Sequence, residues 1–223
     1  MSAVLDLKPV ILVTGILLTT LGAAMLVPAR VDIAAGNPDW QVFAGSSAAT
    51  TLVGISFFAA TRGMSRTLST RQAMLMTVVV WLALVTAGAL PFRWSGITPS
   101  FTDAFFESMS GLTTTGATVI TGLDHAPPGI LLWRGMLQWL GGMGIILVFI
   151  VLLPAMGVTG RNLLASEQIG VQEDLRPRMH EQARFLFRIY LTLTIAAFLA
   201  LWLLARVSLF DSICHAMTTT ATG

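Results

Sequence analysis

Charged residues are scarce in this chain, and their scarcity excludes most soluble folds. Asp, Glu, Lys and Arg make up 11% of the 223 residues, whereas hydrophobic residues make up 55% and the mean hydropathy is +0.79. A typical soluble domain has about 25% charged residues. The composition therefore predicts an integral membrane protein. The net charge of +2 does not indicate nucleic-acid binding, because the basic residues lie in loops rather than on one face.

Side chains that could hold a metal ion or catalyse a reaction are also sparse. The single cysteine, Cys214, excludes an internal disulfide framework and a multi-cysteine metal site. The three histidines are well separated in the sequence, at His125, His180 and His215. The long apolar segments contain no cluster of His, Asp or Glu, which a membrane-embedded enzyme would need. We therefore expect no enzyme activity and no cofactor in this chain.

Five apolar segments have about the length that a membrane-spanning helix needs. They cover residues 9–27, 40–61, 73–90, 130–153 and 185–205. The first is longer than the apolar core of a signal peptide, so we interpret it as a spanning helix. We expect a loop containing Arg30 and Asp32 after it, and an end of the third segment at Pro91. Small residues in the second segment, and the glycines of the fourth, favour close helix packing; these glycines are Gly141, Gly142 and Gly144.

One polar stretch between the third and fourth segments differs from all of them. Residues 101–118 read FTDAFFESMSGLTTTGAT. Residues 101–112 have helical spacing, with Asp103 near the positive end of the helix dipole, but a helix of about 18 Å is too short to span. The Thr-rich run and Gly116 then favour an extended segment with one unusual dihedral angle. A short helix followed by an extended, carbonyl-lined segment is typical of a cation-selective pore loop.

A second stretch, residues 208–223, resembles the first in spacing. Each has an Asp, then a Met six residues later, then a Thr-rich run that reaches a glycine; the two Asp residues are Asp103 and Asp211. The recurrence predicts a helix–pore loop–helix unit that is used repeatedly. Because a ring of carbonyls around an ion needs about four loops, we expect the chain to be the N-terminal part of a longer protein.

The alignment of these two stretches leaves two registers open. Without a gap, Thr114 and Thr115 correspond to Thr222 and Gly223. A shift of one residue instead pairs Gly116 with Gly223.

The charges predict an orientation and a partner surface. Arg134 lies one turn inside the fourth segment, where we expect its side chain to snorkel to the headgroups, with a pore or ion-pair role as the alternative. The distribution of Lys and Arg predicts a cytoplasmic N-terminus, which places both pore loops at the outer face. The polar stretch at residues 154–184 is then a cytoplasmic loop or surface helix, and it offers a docking surface for a cytosolic partner.

Three motifs resemble the Trk/Ktr/HKT superfamily of potassium transporters, and specifically its bacterial Trk-type membrane subunits: FFESMSGLTTTGATVITGLD, LLWRGMLQWLGGMGIILV and FDSICHAMTTTATG. The resemblance covers essentially the whole chain. It implies an all-α polytopic membrane protein with potassium-channel-like helix–pore loop–helix repeats. Two preliminary transmembrane helices (residues 1–72) would precede a first repeat (73–153), a cytoplasmic connecting segment (154–183) and a truncated second repeat (184–223). The resemblance further implies a homodimer in the lipid of the bacterial inner membrane, gated by a cytosolic nucleotide-binding regulatory subunit.

The resemblance also implies which residues would contact potassium, the transported substrate. Gly116 would be the selectivity glycine of the first repeat, since glycine there goes with potassium in the superfamily and serine with sodium-permeable relatives. The implied filter residues are Thr113, Thr114, Thr115 and Gly116 in the first loop, and Ala221, Thr222 and Gly223 in the second.

A potassium symporter coupled to protons or sodium is the alternative. Such a transporter would use a site at the membrane midplane, usually with an intramembrane carboxylate. Asp103, Glu107 and Asp211 lie instead in the predicted pore helices near the outer face.

Overall fold

The computed structural model describes residues 7–61, 70–155 and 175–223, and within these ranges the regular structure is entirely helical. The α-helices are α1 (Lys8–Ala24), α2 (Leu26–Ala34), α3 (Trp40–Ala60), α4 (Thr70–Trp94), α5 (Phe101–Leu112), α6 (Pro128–Ala155), α7 (Leu175–Leu199) and α8 (Leu209–Ala221). A 3-10 turn (Leu123–His125) precedes α6, and a π-helical turn (Ala200–Leu204) extends α7. The all-α prediction is confirmed.

Four stretches of the described residues are long and apolar enough to cross a membrane. They are Lys8–Ala34, Trp40–Ala60, Gln72–Trp94 and Glu181–Leu204. The remaining predicted segment lies in α6, which has 28 residues. The predicted connecting segment falls largely on residues 156–174, which lie outside the described residues.

The first apolar stretch extends further than predicted. Only Met25 separates α1 from α2, and the two helices together form the 27-residue stretch Lys8–Ala34. Pro28 explains the interruption, because proline has no N–H to donate to the preceding turn but is tolerated in the first turn of a helix. The predicted loop at Arg30 and Asp32 is therefore wrong, since both residues belong to α2.

The predicted end of the third segment at Pro91 is also wrong. Helix α4 continues through Pro91 to Trp94, and the N–H of Ser95 donates to the carbonyl of Pro91 at 3.1 Å. The last turn is anchored by Phe92, whose ring is fully buried and whose carbonyl accepts bonds from the hydroxyls of Ser95 and Thr98. This packing outweighs the one helical hydrogen bond that the proline removes.

Helices α1 and α3 pack closely through small residues, as the second segment predicts. A β-carbon built on Gly15 would lie 2.7 Å from the carbonyl oxygen of Gly54. The hydroxyl of Ser47 donates to the carbonyl of Gly22 at 2.7 Å. This contact between backbones is possible only because neither helix carries a large side chain there.

The buried core extends from the first three helices to the place where α4, α5 and α6 meet. The indole of Trp133 on α6 is fully buried and donates to the carbonyl of Gly88 on α4 at 3.0 Å. The side chain of Leu137 packs on α5, where a β-carbon on Gly111 would lie 3.0 Å from the β-carbon of Leu137. These contacts hold α5 between the two longer helices and fix the position at which the chain leaves it.

Candidate functional site

The short helices α5 and α8 begin with the same hydrogen-bonded cap. At α5, the hydroxyl of Ser100 accepts the N–H of Asp103 at 3.1 Å and donates to its carboxylate at 2.6 Å. At α8, Ser208 and Asp211 make the same pair of bonds, at 3.1 and 2.7 Å. Such reciprocal capping satisfies N–H groups that the first turn leaves free. The predicted helix at residues 101–112 is confirmed, and its cap includes a serine ahead of the predicted Asp.

The chain leaves α5 through a left-handed residue. Thr114 has φ of 56°, and its N–H donates to the carbonyl of Gly111 at 2.9 Å. The N–H of Thr115 donates to the carbonyl of Ser110, also at 2.9 Å. Residues 113–120, here called the first loop, then continue without helical structure. They contain two positive φ angles rather than the one predicted, because Gly116 has φ of 75°.

The chain leaves α8 in the same way. Thr222 has φ of 62°, and its N–H donates to the carbonyl of Thr219 at 3.1 Å. The N–H of Gly223 donates to the carbonyl of Thr218 at 3.1 Å. Thr222 and Gly223 form the second loop, as far as the sequence extends.

The matching hydrogen bonds decide between the two registers. Caps, left-handed residues and helix-ending bonds all correspond without a gap, so Thr114 is equivalent to Thr222 and Thr115 to Gly223. The shifted register, which pairs Gly116 with Gly223, does not fit this geometry.

A buried carboxylate holds the first loop in place. Glu107 on α5 is 2% exposed, and its Oε1 accepts the hydroxyl of Thr118 at 2.5 Å and the N–H groups of Val119 and Ile120 at 2.6 and 3.2 Å. Its Oε2 accepts from Nε of Arg134 on α6 at 3.1 Å. Glu107 therefore joins α5, the first loop and α6 at one point.

Of the two alternatives for Arg134, the structure shows the ion pair. The Arg134 side chain is 18% exposed and points to Glu107. The partner role of Glu107 was not predicted. A signal for it exists in the sequence, because an arginine inside an apolar segment requires an anionic partner when it cannot reach the headgroups.

The two loops meet at their glycines. A β-carbon built on Gly116 would lie 2.9 Å from the carbonyl carbon of Gly223. Ser110 supports this part of the first loop by donating its hydroxyl to the carbonyl of Ala117 at 2.6 Å. Thr113 caps α5, and its hydroxyl is 2.8 Å from that of Thr115. The predicted site residues thus come together, except that Ala221 ends α8 and packs on α6 instead.

The glycines of α6 allow the ends of α5 and α8 to approach that helix closely. A β-carbon on Gly141 would overlap the carbonyl oxygen of Leu112, the last residue of α5. One on Gly142 would lie 2.7 Å from the hydroxyl of Tyr190 and 3.5 Å from the α-carbon of Ala221. The predicted close packing is confirmed at both positions. It is not found at Gly144, where a β-carbon would meet no atom of the described residues within 4 Å.

A second buried carboxylate, Asp32, joins the first helices to α6. It is fully buried, and its Oδ1 accepts the N–H of Gly129 in the first turn of α6 at 2.7 Å. Its Oδ2 has no hydrogen-bond partner within the described part of the chain. This contact could not be predicted from the sequence, because it joins two elements that are far apart in the chain.

The described ranges contain no group of three or more His, Cys, Asp or Glu side chains that could hold a metal ion. The family model for TrkH, described as a cation transport protein, matches residues 39–223. The chain belongs to the TrkH family. The description of that family is of a transporter and not of an enzyme, in agreement with the sequence-based expectation.

Individual TrkH-family proteins resemble the chain over nearly all of its length. The Trk system potassium uptake protein TrkH of Escherichia coli (strain K12) is 40% identical over 214 residues, which are 95% of this chain and 44% of the relative. The corresponding protein of Halomonas elongata is 38% identical over 98% of this chain and 46% of the relative. The crystal structure of the potassium transporter TrkH from Vibrio parahaemolyticus matches with a TM-score of 0.83 at 38% identity, covering 96% of this chain and 42% of that one. The chain thus spans less than half the length of these relatives.

Proposed function

We propose that this chain is part of a potassium-uptake protein whose ion pathway is lined by the first and second loops. The observation that carries the proposal is the contact of two loops with the same backbone geometry, at Gly116 and Gly223. Family membership and the names of the relatives support potassium as the transported ion.

In this proposal the loop carbonyls form part of a selectivity filter. The contributing residues are Thr113, Thr114, Thr115 and Gly116 from the first loop and Thr222 and Gly223 from the second, with Ala221 at the end of α8 just before them. Carbonyl oxygens replace the hydration shell of potassium without a net charge, so the ion is bound weakly enough to leave. An inside-negative membrane potential supplies about 2.3 kcal/mol per 100 mV for each entering ion.

The proposed arrangement includes the preliminary helices, the two repeats and the connecting segment that the sequence predicts. The protein would lie in the bacterial inner membrane with its N-terminus in the cytoplasm. It would form a homodimer and be gated by a cytosolic nucleotide-binding subunit that docks beneath residues 154–183. The relatives are bacterial proteins, which supports the membrane assignment.

A symporter coupled to protons or sodium is the second candidate, and Asp32 is the observation that favours it. Asp32 is a fully buried carboxylate in an apolar helical stretch, with one oxygen unpartnered among the described residues. We prefer the channel-like mechanism, because Asp32 contacts the first turn of α6 rather than either loop.

Rubidium uptake tests the proposal in the full-length protein, expressed in cells that lack other potassium-uptake systems. Gly116→Ser and Gly116→Ala both add a β-carbon at a φ of 75°, against the backbone of Gly223. The left-handed conformation costs a non-glycine residue about 1–2 kcal/mol, so both variants should displace the loop and lower the preference for rubidium over sodium.

The alanine variant is the matched control, since it adds the β-carbon without the hydroxyl. A larger loss of selectivity in Gly116→Ser would show that the hydroxyl itself contributes to sodium permeation. Unchanged selectivity in both variants at normal membrane expression would exclude Gly116 from the filter, and the symporter would become the preferred mechanism.

A further inference from the structure

Gln138 on α6 is a buried amide with no evident structural reason to be polar. Its side chain is 4% exposed, and its Oε1 has no hydrogen-bond partner within the described ranges. A buried amide oxygen without a partner is unfavourable, whereas an apolar side chain of similar volume would carry no such penalty. A polar residue at this position therefore needs an explanation other than packing.

The amide of Gln138 lies against both loops. A β-carbon built on Gly223 would lie 2.9 Å from Cδ of Gln138 and 3.2 Å from both its Nε2 and its Oε1. A β-carbon on Gly116 would lie 3.8 Å from Nε2 of the same side chain. The amide therefore packs against the point where Gly116 and Gly223 meet.

Helix α6 supports the first loop at three successive turns. Arg134 holds Glu107, which binds the far end of the loop. Gln138 follows one turn later, at the glycine contact. Gly141 lies one turn further on, against the carbonyl of Leu112 where the loop begins. Helix α6 thus supports the first loop along its length, and a side chain at position 138 of this helix can influence the position of both loops.

We propose that Gln138 is a positioning residue that sets the spacing of the two loops and thereby the ion preference of the protein. This inference rests on the proposed function. Its physical basis is that a carbonyl site discriminates between cations through the number and position of its oxygens. A planar amide that packs against both Gly116 and Gly223 limits how the two backbones can move relative to each other.

The test is rubidium and sodium uptake by the full-length protein carrying Gln138→Met or Gln138→Ala, at matched membrane expression. Methionine is unbranched and of similar length, so it removes the amide while keeping the shape. We expect both variants to lower the rubidium-to-sodium preference by about tenfold, which corresponds to a change of about 1.4 kcal/mol in the difference between the two binding free energies. Normal selectivity in Gln138→Met would overturn the role of the amide.

A second measurement keeps the proposal testable should the methionine variant fold poorly. Gly223→Ala places a β-carbon against the Gln138 amide and should itself lower selectivity. The double variant with Gln138→Ala should be no less selective than Gln138→Ala alone, because the side chain that the new methyl group meets has been removed. Fully additive losses would contradict a direct contact.

Gly116→Ser, measured in parallel, distinguishes failure of the inference about Gln138 from failure of the proposed function. Loss of selectivity in Gly116→Ser together with normal selectivity in the Gln138 variants would reject the inference and leave the proposed function intact. Normal selectivity in all of them would reject both.

Discussion

At the scale of single residues, two buried carboxylates differ in their hydrogen-bond partners and therefore in the elements that they connect. Glu107 accepts three hydrogen bonds from the first loop on Oε1 and one from Arg134 on Oε2, so both of its oxygens have partners. Asp32 accepts one bond and leaves its second oxygen unpartnered among the described residues. The first carboxylate organises a loop, and the second links two helices.

Removing either partner of the Glu107–Arg134 pair should destabilise the protein, and removing both should cost less than the sum of the two single losses. Glu107→Ala leaves the loop N–H groups and the guanidinium without their acceptor, which costs about 3 kcal/mol for a buried pair. We expect a clear fall in the thermal unfolding temperature of the detergent-solubilised full-length protein.

Asp103→Asn is the control for this prediction, because it changes a carboxylate on the same helix at an exposed cap. The double variant Glu107→Ala with Arg134→Ala should be less destabilised than the sum of the two single variants. Additive losses would mean that the two side chains do not interact.

At the scale of elements, the approach of α5 to α6 depends on a missing side chain. The carbonyl that ends α5 occupies the space that a β-carbon on Gly141 would need, whereas no atom in the described part of the chain lies beside Gly144. The two glycines lie on the same helix, less than one turn apart, and differ mainly in what faces them. Gly141 permits a helix contact, and Gly144 does not serve one within the described residues.

Alanine substitutions at these two glycines should therefore have opposite effects. Gly141→Ala forces α5 and α6 apart and should destabilise the protein by about 1–3 kcal/mol, as overpacking does. Gly144→Ala should be neutral or stabilising by up to about 1 kcal/mol, because alanine favours the helix. Thermal unfolding of the two variants side by side measures both effects. Equal effects at the two positions would contradict the role of the contact with Leu112, because helix propensity alone predicts the same small stabilisation at both.

The boundaries of the elements were predictable only where they depend on local chemistry. Residues 101–112 could be recognised because their spacing and acidic first turn belong to one short helix. The continuation of the first apolar stretch to Ala34, and of α4 past Pro91, depends on burial by other helices. Neither the spacing of apolar residues nor the presence of a proline shows such burial.

The candidate site was predictable in its residues but not in its contacts. The Thr-rich runs and Gly116 could be found from their recurrence in the sequence. The register of the two loops could not, because it is set by backbone hydrogen bonds to residues that differ between them. The roles of Glu107 and Gln138 also require the approach of α6, which no sequence spacing encodes.

At the scale of the whole molecule, the first helices and α6 form one connected framework. Asp32 on α2 accepts the N–H of Gly129 in the first turn of α6, and α6 in turn supports both loops. Large apolar side chains remain exposed along α3 and α7, including Leu52, Phe185 and Leu193. Such surfaces fit a hydrocarbon environment, in line with the membrane-spanning lengths of these helices.

Asp32 variants test whether this framework is structural or takes part in ion coupling. Asp32→Asn keeps an oxygen that can accept from Gly129, whereas Asp32→Ala removes it and should destabilise the protein by about 1–2 kcal/mol, as for a lost helix cap. We expect Asp32→Asn to transport rubidium with the same dependence on external pH and sodium as the unsubstituted protein. Altered dependence in Asp32→Asn would support the symporter instead.

The most direct test of the proposed ion pathway is a crystal structure of the full-length protein grown in rubidium, with the ions located by their anomalous scattering. We predict anomalous peaks beside the two loops, within coordination distance of the carbonyls of Thr114, Thr115 and Thr222. Well-ordered loops without a peak next to these carbonyls, and an ion bound elsewhere in the membrane region, would contradict the account.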